Sequence, residues 1–164
     1  MNTGGVGMEH ASALRGQAPD LNRLAVSATN HCLTGCATGE VLGFVIATSL
    51  AWSAVGSLAL AVGLAYLFGF AFTSRPLVKA GLAAGTVVST ALAADTISIT
   101  IMEVIDNVVV VLIPGALEAG VDEPLPYASI AAGFAIAYPF AFLANKYMIA
   151  RGKGHAVVHE HHGH

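Results

Sequence analysis

Charge is what this chain has least of. Only 10% of its 164 residues are Asp, Glu, Lys or Arg, where a soluble domain carries about 25%. So few charges cannot cover a water-facing surface, and an ordinary soluble domain is excluded. Basic residues are the scarcest, seven in all, and no basic patch with interleaved aromatics is present, so nucleic acid is not an expected partner. The two cysteines, Cys32 and Cys36, are too few for a disulfide framework. They are four apart, which is not the spacing of a CxxC redox pair, and on a regular helix their Cβ vectors are poorly placed for bridging. There is no phosphate loop, no Ser-His-Asp pattern and no acid pair with a clear substrate pocket, so no catalytic constellation is recognised. The polar, Gly-rich first segment lacks the charged-then-apolar form of a cleavable signal peptide.

What is there is hydrophobic: 55% of the residues, with a mean hydropathy of +0.72. A membrane span needs about 20 apolar residues at ~1.5 Å each. Four spans are expected, over roughly 27–52, 55–73, 80–113 and 127–149. Pro76 and the Pro124/Pro126 pair mark loops, Pro114-Gly115 closes the third helix, and Pro139 should kink the fourth. The organisation is a polar segment 1–26, a membrane domain 27–150 and a His-rich cytoplasmic tail 151–164. The fold class is all-α, an integral membrane four-helix bundle with the lipid bilayer as its solvent.

The Lys and Arg residues fall in three clusters: Arg15 and Arg23; Arg75 and Lys79; Lys146, Arg151 and Lys153. With four spans, all three clusters lie on one side. The opposite side has a tight turn near Trp52 and a loop with Glu118, Asp122 and Glu123. The positive-inside rule then sets both termini in the cytoplasm. Trp52, Tyr127 and Tyr147 sit near span ends, as interfacial anchors should.

Four acids sit inside the apolar stretches: Glu40, Asp95, Glu103 and Asp106. Hydrocarbon solvates a carboxylate poorly, so each is a functional hypothesis by default. In the first span Gly35, Gly39 and Gly43 recur every four residues, a doubled small-xxx-small pattern that admits another helix at close range. Cys32, Cys36 and Glu40 lie on or beside that face and His31 at its edge. Thiolates favour Cu(I) and Zn, and imidazole suits several transition metals. The plainer alternative is that the cysteines are small packing residues. In the third span Asp95, Met102 and Asp106 fall on one stripe, flanked by Ser98 and Glu103. Protonated acids gluing helices together are the alternative there. Depth counting puts Glu40 and Asp95 together near the bilayer centre, Glu103 and Asp106 nearer the outer face, and His31 with Cys32 nearer the cytoplasm. The tail holds five histidines in its last ten residues, a composition that suits metal binding. Its His155 and His159 are four apart and can share one metal from a helix.

His31-Cys32-Leu33-Thr34-Gly35-Cys36, Ile113-Pro114-Gly115-Ala116 and the run Arg151-Gly152-Lys153-Gly154-His155-Ala156-Val157-Val158-His159 together resemble a bacterial membrane family catalogued as domain of unknown function 4396. The likeness covers about residues 28 to 160. It implies a multi-pass protein of the bacterial inner (plasma) membrane, and it brings no activity and no catalytic residue.

The leading expectation is a homo-oligomeric membrane protein that binds and transports a transition-metal ion, Cu(I) or Zn first. Four small helices rarely enclose a pathway alone, and the glycine face invites assembly. Its metal residues are His31, Cys32, Cys36, Glu40, Asp95, Met102, Glu103, Asp106, His155 and His159. A cation channel for hard ions, lined by acid rings, is the alternative. A metal-dependent membrane enzyme is the third class.

Overall fold

Asp20 starts the first helix. Its carboxylate accepts a hydrogen bond from the Asn22 backbone N–H at 3.0 Å, satisfying a donor that the first turn leaves free. From there α1 runs Leu21–Ser49. The chain turns at 50–53, where Ala51 takes a positive φ of 52°, and α2 follows over Ala54–Lys79. α3 spans Ala84–Leu112 and α4 Pro124–Ala150. The computed structural model describes residues 20–79 and 84–151, without the side chains of 76–77, 79 and 84–94. The described residues hold four helices and no strand, as expected for an all-α bundle.

The helix ends refine the expected spans. α1 begins six residues earlier than 27, because Asp20 caps a turn that the apolar run alone does not reveal. α4 begins at Pro124 rather than 127, since proline suits the first helical turn. Pro76, expected in a loop, lies within α2. Proline there removes one backbone donor, and the helix continues to Lys79. Pro139 likewise stands inside α4 without ending it. Pro114-Gly115 does close α3, with Gly115 at φ 83°. The loop that follows is pinned by Glu123, which accepts from the Gly120 N–H at 3.0 Å. Tyr127 donates to the Val121 carbonyl at 2.7 Å and meets Phe44 of α1 edge-on at 5.7 Å.

Each helix packs on its neighbour in sequence, α4 closes the ring onto α1, and α1 touches α3 across the diagonal. The tightest seam joins α1 and α2. A Cβ added to Gly35 would stand 2.6 Å from Gly69 Cα, and one on Gly43 2.5 Å from Ala61 Cα. At Gly39 it would overlap the backbone of Leu64 and Ala65. The glycine face is therefore taken up by the chain's own second helix.

Large apolar side chains cover the outside of the bundle, and the acids are set inside it among apolar residues. Leu67, Val104, Phe140 and Leu143 are exposed, whereas Glu40, Asp95, Glu103 and Asp106 are buried. α1, α2 through Arg75, and α4 are each long and apolar enough to cross a membrane, and α3 equals α1 in length at 29 residues. Three hydroxyls of α1 are satisfied locally: Thr34, Thr38 and Ser49 each donate to the carbonyl four residues back. Polar contacts also tie helices together. Tyr138 donates to Asn30 Oδ1 at 2.8 Å, and Tyr66 and Thr100 share a hydroxyl–hydroxyl bond at 2.6 Å.

Gly39→Leu should force α1 and α2 apart and cost about 3 kcal/mol or more, since the obstacle is backbone on both sides. Thermal unfolding of the purified chain checks this. An unchanged melting temperature would show that the seam is not held at this distance.

Candidate functional site

On α1 the residues Thr29, Cys32, Cys36 and Glu40 recur at intervals of three, four and four, which keeps them on one helix face. On α3 the corresponding stripe is Asp95, Ser98, Met102, Glu103 and Asp106. All nine side chains are buried. They face the bundle interior because the glycine seam beside them fixes how α1 is turned. The two stripes run parallel and meet in successive levels.

At the first level Asn145 of α4 donates through Nδ2 to Thr29 Oγ1 at 2.9 Å and to Ser98 Oγ at 3.1 Å. The Thr29 hydroxyl in turn donates to the Ala25 carbonyl at 2.7 Å. One turn before Ser98, Asp95 faces Thr73 of α2 without a well-directed hydrogen bond. At the second level Cys36 lies against Cys32 and against Glu103 of α3. Met102 is fully enclosed in the same core. At the third level Glu40 and Asp106 meet side chain to side chain. Two carboxyls brought together in this way need a shared proton, a cation or a bridging water between them, because neither has a donor of its own when ionised. Asp106 fits here because position 133 is glycine. A Cβ on Gly133 would run into the Asp106 carboxyl and stand 2.8 Å from its Cα.

Carboxylate oxygens of all four acids are buried without a hydrogen-bond partner: Glu40 Oε2, Asp95 Oδ2, and both oxygens of Glu103 and of Asp106. The buried charged residues among those described are acids alone, with no Lys, Arg or His to balance them. Beyond Glu40, where the ends of the four helices converge near the 113–123 loop, lies a cavity of about 30 Å³. Glu40 forms part of its wall, with Phe44, Ser57, Leu117 and Ile130 among the others. That is room for a water molecule or a dehydrated ion.

The structure joins some of the expected residues and separates others. Cys32, Cys36, Met102 and Glu103 share one region, and Glu40 and Asp106 the next. His31 does not join the thiols. It is exposed, with Nδ1 at 2.7 Å from the Ser27 carbonyl, because a one-residue step from Cys32 turns it ~100° around the helix. Among the described residues no group of three or more His, Cys, Asp and Glu stands ready to hold a metal. His155 and His159 lie outside the described residues. Glu40 and Asp95, expected at similar depth, fall at different levels, and the acid beside Glu40 is Asp106. The expected depths follow from the middles of spans 27–52 and 80–113, whereas α1 is Leu21–Ser49 and α3 Ala84–Leu112, which moves the two middles in opposite directions along the chain. Thr29 and Asn145 were not anticipated; each is a lone polar residue in an apolar run, and only that isolation marked them.

Neither a curated protein nor a solved structure matches the chain. A family model described as a domain of unknown function (DUF4396) does match, over residues 22–154, from the start of α1 to beyond α4. The chain belongs to the family of domain of unknown function 4396.

Proposed function

We propose that this protein binds a transition-metal cation in the interior of its bundle and carries it across the membrane, with Cu(I) or Zn(II) as the first candidates. The observation that carries this reading is the enclosure of four carboxyls, two thiols and a thioether in a core whose described residues include no buried base. Each mid-span acid costs about 2.5–3.5 kcal/mol to insert. A cation offsets that cost directly, and Cys32, Cys36 and Met102 give the core a soft character that favours Cu(I) and Zn over hard ions. The ligands close on the ion by rotating from their separate levels, since no preformed chelate is present among the described residues. Glu103 stands beside Cys36 and supplies the hard donor. His31 on the outer face and the tail histidines His155 and His159 act as exchangeable sites.

A hard-cation channel is the second reading, favoured by the direct meeting of Glu40 and Asp106. Cysteine substitution separates the two. Cys32→Ser/Cys36→Ser should weaken tight Cu(I) or Zn(II) binding about 100-fold or more, measured by competition with a chromophoric chelator. Full retained affinity would make the cysteines packing residues. Thiolate ligation releases protons, so wild-type affinity should fall as pH falls. Truncation after Arg151 should lower stoichiometry and leave the tight site intact.

In this reading the ion passes between an acidic outer loop and a basic cytoplasmic side. Arg23, Arg75, Lys146 and Arg151 would face the cytoplasm. Assembly into a homo-oligomer uses outer apolar faces, because the glycine seam is occupied within the chain. Single cysteines introduced in the 116–125 loop, in a Cys32→Ser/Cys36→Ser background, should react with an impermeant thiol reagent on intact cells. Reaction only after lysis would reverse the orientation. In proteoliposomes, Asp95→Asn and Glu103→Gln should each reduce metal flux by about 10-fold or more. Unchanged flux in both would remove transport.

A further inference from the structure

The three levels follow one another along the facing stripes of α1 and α3. From Thr29 to Glu40 is eleven residues of helix, about 16 Å of rise, roughly half the hydrocarbon thickness of ~30 Å. Along that distance the polar groups succeed one another: the Asn145–Thr29–Ser98 hydrogen bonds, then Cys36 and Glu103, then Glu40 and Asp106. Every contributing residue comes from one chain. At the Glu40 end these levels reach the cavity of about 30 Å³. Glu40 is 3% exposed, and its Oε2 has no partner although the residue forms part of the cavity wall. Among the described residues, Glu40 is the one charged residue in a wall that is otherwise apolar apart from Ser57, and its carboxyl, with Oε2 enclosed behind that wall, is a binding position for a cation arriving from that side. The approach has the right sign. The loop over 113–123 carries exposed Glu118, Asp122 and Glu123 and no basic residue, and such a field concentrates cations at the mouth.

We infer that the access route for the cation lies inside a single bundle, entering through the cavity beside the 113–123 loop and reaching Glu40 as its first binding position, with Cys36 and Glu103 next. The cation is a small, dehydrated, thiophilic one. This rests on the transport reading above. It differs from a pathway at a symmetry axis between chains, since the cavity is walled by all four helices of one protomer and their connections. Ser57 and Leu117 stand in that wall and are not ligands. A bulky side chain at either position should plug the route without touching the levels beyond it.

The test uses the full chain and its native thiols. Purified protein is exposed to Ag⁺, quenched at intervals, denatured and titrated for remaining free thiols. Cu(I) flux is measured separately in proteoliposomes. In the wild type Ag⁺ should capture the buried thiols. Leu117→Trp should slow capture by about 10-fold or more and reduce flux in parallel, and Ser57→Trp provides a second plug should the first fold poorly. Capture at the wild-type rate in both folded variants would overturn the inference, as would wild-type thiols that Ag⁺ never reaches. Capture that is fast in the wild type and slowed by the plugs, but with no Cu(I) flux in any sample, would uphold the access route and reject transport.

Discussion

The close approach of α1 to α2 is the contact on which the rest of the interior depends. Gly35, Gly39 and Gly43 present bare backbone to Gly69, Ala65 and Ala61, and no side chain larger than hydrogen fits at the first three positions. This seam fixes the rotation of α1. Once it is fixed, Thr29, Cys32, Cys36 and Glu40 have one direction left to point, across the diagonal toward α3. A second close approach, Gly133 against Asp106, performs the same service for α3 and α4. In hydrocarbon, helices gain no hydrophobic advantage from meeting each other, so small-residue contacts and polar links have to supply the association.

The electrostatics follow from that geometry. Four acids are enclosed with carboxylate oxygens that have no donor, and the bases among the described residues sit at the ends of helices. There Arg151 stacks on Tyr147 at 4.3 Å and Lys146 lies 6.0 Å from the Phe142 ring centre. This separation of sign is what the proposed cation would balance. The Asn145–Thr29–Ser98 group shows how this chain joins helices where no ion is involved: neutral groups, each donor matched to an acceptor. The acid levels are built differently, with carboxyl oxygens left without a partner.

Much of this was legible in the order of residues. Apolar runs broken by Pro114-Gly115 and by the Trp52 turn were enough to count four helices, and the i, i+4 glycines predicted a buried seam. The four acids and two thiols stood out because they sit in hydrocarbon. What the order of residues could not supply was register. Helix starts depend on single caps such as Asp20, and a few residues of error at each end moved Glu40 from the depth of Asp95 to that of Asp106. Facing also escaped it at the edge of a stripe, where His31 turned out instead of in. The Asn145 node joins residues 47 and 116 positions apart, and no local pattern encodes such a meeting.

The central claim is that a soft cation is held by sulfur inside the bundle. X-ray absorption spectroscopy of the full chain, loaded with one equivalent of Cu(I) after purification without a tag or metal column, tests it most directly. Sulfur scatterers in the first shell, contributed by Cys32, Cys36 or Met102 and lost in the Cys32→Ser/Cys36→Ser variant, are the expected result. A first shell of nitrogen and oxygen alone, unchanged in that variant, would place the metal on surface or tail groups and contradict an interior sulfur site.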